Sequence, residues 1–103
     1  MKREKLYKLI YLPSFDSDLS EAEDYLFGFN STAVDKLTEA IDEQMATLIE
    51  HPFIYPAYRK NTKYRFMLLP YQYLCFYCVD EETKTIHVYR LLRGMRDIPS
   101  ILS

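Results

Sequence analysis

The sequence predicts an α+β domain with the element order β-α-α-β-β-β: an antiparallel helical hairpin packed on one face of a four-stranded, mostly antiparallel sheet. Two observations carry that prediction. Three short runs rich in aromatic and β-branched residues, at 64–69, 71–79 and 86–92, follow one another between turn signals, as strands do. Before them, apolar residues between Leu19 and Ile49 recur at steps of three and four, the period of a helix, with one interruption at Gly28 and Asn30. A helical hairpin laid on one sheet face is the economical way to bury both apolar surfaces.

Each element has its own justification. Residues 6–12 (LYKLIYL) form a first strand, apolar on both faces and therefore covered or internal, and Pro13 stops it. Asp16, Ser17 and Asp18 offer N-caps to the first helix, where acids also suit the helix dipole. Leu19, Ala22, Leu26 and Phe29 make its apolar face. Ser31 and Thr32 cap a second helix, with Asp35 in the position of a capping-box acid. Val34, Leu37, Ile41, Met45, Leu48 and Ile49 are its stripe, and Pro52 ends it. Residues 52–63 form a loop carrying Arg59, Lys60 and Lys63. After the last three strands, Asp97 is placed to cap one helical turn at 98–102, with Pro99 in it.

With 103 residues and a hydrophobic content of 49%, the chain is expected to form one domain spanning 1–103. No apolar run approaches the ~20 residues of a membrane span. Met1-Lys2-Arg3 is basic, but no apolar core with a small-residue cleavage site follows, so a cytoplasmic protein with reduced cysteines is expected. The net charge of −2 conceals an asymmetry: residues 16–50 carry −9 and the rest +7. The acidic hairpin reads first as a solvated helical face.

Alternation within the strands assigns faces. The apolar sets Tyr64, Phe66, Leu68; Leu74, Phe76, Cys78; and Ile86, Val88, Arg90, Leu92 are expected to meet the helices. The opposite sets, with Arg65, Tyr73, Tyr77, His87, Tyr89 and Arg93, are expected on an open face. Arginine beside tyrosine there would suit phosphates and bases. The alternative is that Tyr73, Tyr77 and Tyr89 form a minor core under the C-terminal tail.

Cys75 and Cys78 match C-x-x-C, but three positions apart on a strand they point to opposite faces and cannot pair or share a metal. No metal site and no cofactor are expected. The only glycines are Gly28 and Gly94, so no phosphate-binding glycine loop exists. His51 reads as a helix-terminal cation; His87 reads as a surface histidine or an acid/base.

The segments Tyr64-Arg65, 73–80 (YLCFYCVD) and 88–97 (VYRLLRGMRD), with the helix ending LIEHP at 48–52, resemble the RelE/ParE superfamily of bacterial toxins. The resemblance covers about residues 6–102, and its most specific part is the fourth strand running into Leu92-Arg93-Gly94-Met95-Arg96-Asp97. It implies the toxin of a type II toxin–antitoxin system of the plasmid stabilisation type. Such a toxin inhibits growth and is neutralised by a cognate antitoxin whose extended segment and helices wrap it. It implies no membrane partner.

The superfamily divides by mechanism. RelE-like members cut messenger RNA on the translating ribosome with a Lys/Arg cluster and a histidine or tyrosine near the C-terminus. ParE-like members lack that cluster and poison DNA gyrase. Here Arg65 and Arg96 match basic positions, but Met67 and Leu74 stand where nucleases commonly have lysine and arginine, and the tail has no tyrosine or histidine. The resemblance therefore favours a ParE-like toxin that binds gyrase or another target, through Arg65, Tyr73, Tyr77, Arg90, Arg93 and Arg96. The alternative is a ribosome-dependent endoribonuclease with Arg65, Arg93 and Arg96 as cations and Tyr89 or His87 as acid/base.

Overall fold

The computed structural model describes residues 6–94 and 97–102. Its elements are β1 (Lys8–Tyr11), α1 (Pro13–Phe27), α2 (Ser31–Glu50), β2 (Arg65–Leu69), β3 (Tyr73–Asp80), β4 (Thr85–Arg93) and α3 (Ile98–Leu102). The sheet order is β1-β4-β3-β2. The β2–β3 and β3–β4 pairs are antiparallel, and β1 runs parallel to β4. The expected fold class is the observed one.

The helix starts differ from those predicted. Pro13 does not merely end β1; it opens α1, where its missing N–H costs nothing and its fixed φ fits. Asp16 and Asp18 therefore lie inside α1, and Leu12 is the cap residue, without a side-chain bond. Asn30, not Ser31 or Thr32, caps α2: its Oδ1 accepts the Ala33 N–H at 2.8 Å. The α2 stripe is as read, with Leu37, Ile41, Met45 and Leu48 buried. Phe29 is not part of the α1 face; the helix ends at Phe27, and Phe29 is 67% exposed.

The faces of β2 and β3 are the reverse of those expected. Met67, Leu69, Tyr73, Cys75 and Tyr77 meet the helices, together with Ile86, Val88 and Leu91 of β4. On the other side Tyr64, Phe76 and Leu92 pack with Ile98 and Leu102 of α3, flanked by Phe66, Leu74, Cys78 and Tyr89. That side is a second small core, not an open cationic face. Polarity could not decide between the two sets because both are rich in apolar and aromatic residues. Tyrosine can enter the main core where its hydroxyl finds a partner. Tyr77 does so, donating to the Pro52 carbonyl at 3.0 Å.

A bulge in β4 changes its phase. Phe76 pairs with Arg90 but Tyr77 pairs with Val88, so Tyr89 is the extra residue. Ile86 and Val88 face the helices before the bulge and Leu91 faces them after it, which breaks the expected alternation through Arg90 and Leu92.

Both sheet edges are partly covered. β1 ends early, and α1 takes over its ladder positions along β4. Leu12 N–H donates to the Val88 carbonyl at 3.0 Å, Ser14 Oγ donates to the Tyr89 carbonyl at 2.7 Å, and the Asp18 carboxylate accepts the Leu91 N–H at 2.9 Å. Along β2, Tyr58 N–H donates to the Tyr64 carbonyl and Phe66 N–H to the Pro56 carbonyl. Farther along, Gln44 Nε2 donates to the Leu68 carbonyl at 3.2 Å, and the Leu68 side chain is 68% exposed.

Candidate functional site

The arginines expected to form one surface are dispersed. Arg65 lies opposite Tyr77, so its stem starts on the helix side of β2. Its Nη1 donates to the Tyr55 carbonyl at 2.6 Å and to the Phe53 carbonyl at 3.4 Å, and its guanidinium sits 4.9 Å from the Phe53 ring centre. It ties down the start of the 52–63 loop. Arg90 is engaged by α1: Nε and Nη2 donate to the two Asp18 oxygens at 2.7 and 3.0 Å. That hydrogen-bonded carboxylate raises the Arg90 pKa above its ordinary value.

Arg93 lies opposite Tyr73, at the other end of β3 from Arg65. Tyr77 lies four positions beyond Tyr73 on β3, so the two arginines start roughly 13 Å apart along the sheet. They cannot hold the same phosphate. Arg96 lies outside the described residues.

Tyr73 and Tyr77 are not available to a target, because both are buried under the helices. Tyr89 and His87 belong to the opposite side. Tyr89 stacks on Tyr64, with ring centres 5.2 Å apart and planes 12° from parallel, and Lys63 Nζ lies 5.5 Å from the Tyr64 ring centre. His87 pairs with Cys78 across the ladder. Arg65 and the two acid/base candidates thus stand on different faces. Met67 is 1% exposed in the main core, and Leu74 packs against the second core. Neither leaves room for the charge that a nuclease would carry there.

The thiols are separated as the strand geometry requires: Cys75 belongs to the helix-side core and Cys78 lies against the second one. Burial pushes both pKa values up, so neither thiol is an activated nucleophile. Among the described residues, no group of three or more His, Cys, Asp or Glu could hold a metal ion, and no helix is long and apolar enough to cross a membrane.

Two features escaped the sequence reading. Asp18 is buried in the α1 face, in step with Phe15, Ala22 and Leu26. An acid at a core position of an apolar stripe was the available signal. The second is a pocket of about 420 Å³ where the α1–α2 turn meets the β2–β3 turn and the end of β4. It is lined by aromatic residues and Arg93. Nothing local marks it, because its walls come from three separated segments.

Comparisons place this geometry among known proteins. The family model described as ParE toxin of type II toxin-antitoxin system, parDE, matches residues 9–98. No curated protein sequence matches the chain. A chain of the chromosomal ParDE toxin–antitoxin system of P. aeruginosa superposes with a TM-score of 0.69 at 18% identity, covering 85% of this chain and 96% of its own length. A chain of the RelBE2 toxin–antitoxin complex of Mycobacterium tuberculosis superposes with a TM-score of 0.63 at 14% identity, covering 86% of this chain and 99% of its own. At those identities the two structures establish a shared fold. With nearly the whole chain matched by the family model, the protein belongs to the ParE toxin family of type II toxin–antitoxin systems.

Proposed function

We propose that this toxin inhibits growth by binding a macromolecular target, DNA gyrase first among candidates, and not by cutting RNA, and that a cognate antitoxin neutralises it. The observation that carries this reading is the dispersal of the groups a nuclease would have to bring together. Arg65 is bonded to loop carbonyls and Arg90 to Asp18, while Tyr89 and His87 stand across the sheet from Arg65. General acid–base cleavage needs an acid, a base and a phosphate cation within hydrogen-bond reach of one another. Target contact is assigned to Arg65, Arg93 and Arg96, the last outside the described residues, while Arg90 is held to α1 by Asp18.

The test is inhibition of gyrase-catalysed supercoiling by purified toxin, with accumulation of cleaved DNA complexes. Undiminished supercoiling and no cleaved DNA would remove gyrase as the target. A second reading, a ribosome-dependent endoribonuclease, is favoured by one observation: the Tyr64–Tyr89 stack beside Lys63 is a cationic aromatic patch of the kind that holds bases. It requires mapped cuts in translated messages that disappear in Tyr89→Phe or His87→Gln.

The antitoxin reading draws on the family and on the surface. Phe27 and Phe29 at the α1–α2 turn and Leu68 beside the β2 edge are large apolar side chains left exposed. A wrapping partner would cover them. Co-purification of the toxin with the antitoxin encoded beside it is the check, and separate elution of the two would count against it.

A further inference from the structure

The pocket at the end of β4 holds the cation of Arg93. The Arg93 guanidinium lies 4.4 Å from the Tyr25 ring centre and 5.9 Å from that of Tyr73. Its Nε is buried and makes no hydrogen bond. Among the described residues, no carboxylate comes within ion-pair distance of it, and Asp18, which lines the neighbouring cleft, is paired with Arg90. A buried guanidinium nitrogen left unbonded is costly, and folded proteins seldom leave one so. Arg90, three residues earlier on the same strand, shows the usual outcome, with both of its bonding nitrogens on one carboxylate.

The rim of the same pocket is strained. Tyr71 and Gln72, in the turn from β2 to β3, both have positive φ, 63° and 67°. Two successive left-handed residues are normally glycine, asparagine or aspartate, which accept that conformation cheaply. A tyrosine there gains nothing for the turn, and strained positions of this kind gather at recognition sites. The turn is fixed to the strand that carries Arg93, because Gly94 N–H donates to the Gln72 carbonyl at 2.8 Å. The strain therefore holds the half-exposed Tyr71 ring at the pocket mouth, with Phe29 and Tyr25 packed edge to face at 5.1 Å on the other lip.

We infer that this pocket is a docking subsite for the antitoxin, and that it takes a pair of neighbouring side chains from it: a carboxylate on Arg93, and an apolar side chain between Tyr71 and the Tyr25–Phe29 lip. The assignment rests on the proposed antitoxin reading and adds to it where and by what chemistry one part of the partner is gripped. Charge complementarity selects a polypeptide over a nucleic acid. The pocket is built on the hairpin whose residues 16–50 carry −9, and Asp18 and Glu21 line the cleft on the other flank of Arg93. One shielded carboxylate can reach the guanidinium there, whereas a run of phosphates would be repelled along the hairpin.

The test measures the affinity of purified toxin variants for the antitoxin encoded beside the toxin. Arg93→Gln is expected to weaken binding by about 10- to 100-fold, as loss of a desolvated charge pair does, and Arg93→Lys by less. Tyr71→Gly removes the ring and relaxes the positive φ, so its thermal stability should equal or exceed that of the parent while its affinity falls about 10-fold, the effect of losing an aromatic anchor. One antitoxin Asp or Glu, changed to Ala, should lose as much as Arg93→Gln and lose nothing more in combination with it. Parental affinity in both Arg93→Gln and Tyr71→Gly overturns the subsite and leaves the antitoxin reading standing. No complex with the parent toxin overturns both. If Arg93→Gln loses binding to a single-stranded RNA 20-mer while keeping its antitoxin affinity, the pocket belongs to nucleic acid and the inference is wrong.

Discussion

Replacing Asp18 by alanine should cost about 3 kcal/mol of stability, an effect set by three hydrogen bonds to one side chain. The carboxylate accepts Arg90 Nε at 2.7 Å, Arg90 Nη2 at 3.0 Å and the Leu91 N–H at 2.9 Å. Its side chain is 9% exposed, and that of Arg90 24%. Asp18→Ala leaves the Leu91 N–H unpaired at a buried edge, which costs about 1–3 kcal/mol by itself. It also leaves the guanidinium without its anion. A fully buried pair broken on one side costs about 3–5 kcal/mol. Arg90 can turn partly to water, so the lower end of that range applies to the whole substitution. For a domain with about 5–15 kcal/mol in total, this is a severe loss, worth roughly 12–24 °C in Tm. Asp18→Asn keeps an acceptor for Leu91 and should cost about half as much. The decisive variant is Asp18→Leu with Arg90→Met. Removing both charges leaves only the Leu91 N–H unpaired, so the double variant should cost about 1–2 kcal/mol, less than either single change. Urea unfolding followed by far-UV circular dichroism gives the value for each variant and for the two single changes of the double. A cost below about 1 kcal/mol for Asp18→Ala, or a double variant as damaged as the sum of its parts, would refute the account of α1 docked on β4 through this pair.

Three further outcomes follow from the same structure. Asn30→Ala removes the α2 cap and should cost about 1 kcal/mol, while Asn30→Asp should be nearly neutral; equal stability of all three chains would deny the cap its role. Tyr77→Phe deletes the buried bond to the Pro52 carbonyl and leaves that acceptor unpaired, for a loss of about 1–2 kcal/mol, read from the denaturation midpoint. Burial pushes the Tyr64 phenol up to about 12 from its ordinary 10, and burial also raises Tyr77, Tyr55 and Tyr11. The folded chain thus keeps protons that the unfolded chain releases, those of the two buried thiols near pH 9 and those of the phenols near pH 10, so stability should begin to fall near pH 9 and fall further between about 10 and 12. Tyr64→Phe should make that fall shallower, and an unchanged slope would contradict the assignment.

What could be read from the residues depended on how unequal the two faces of each element are. In α2, apolar Leu37, Ile41, Met45 and Leu48 stand against acids, so period and phase were both legible. In β3 both alternating sets are apolar or aromatic, and the choice of face passed to contacts no local pattern encodes, such as the Tyr77 hydroxyl reaching Pro52. The phase of β4 depended on a bulge at Tyr89, which has no signature in VYRLLR. Asp18 was visible as an acid in an apolar stripe, yet its proximity to Asp16 and Ser17 made it read as a cap. The candidate site suffered most. Arg65 and Arg93 are expected on one face and do share one, but it is the helix side of the sheet and they stand four positions apart along β3, while Arg90, expected among the residues that meet the helices, is taken by Asp18. Each is held instead by a segment distant in sequence: Arg65 by the loop after α2, Arg90 by Asp18 of α1, and Arg93 between Tyr25 of α1 and Tyr73 of β3.

The central claim, a toxin that acts by holding a target and not by cutting RNA, meets its most direct test in one induction experiment. The toxin is expressed without antitoxin, and cleaved DNA complexes and messenger RNA ends are mapped in the same cells. The account predicts growth arrest with trapped gyrase–DNA complexes and intact messages, reversed when the antitoxin is co-expressed. Discrete cuts in translated messages with undamaged DNA would contradict it.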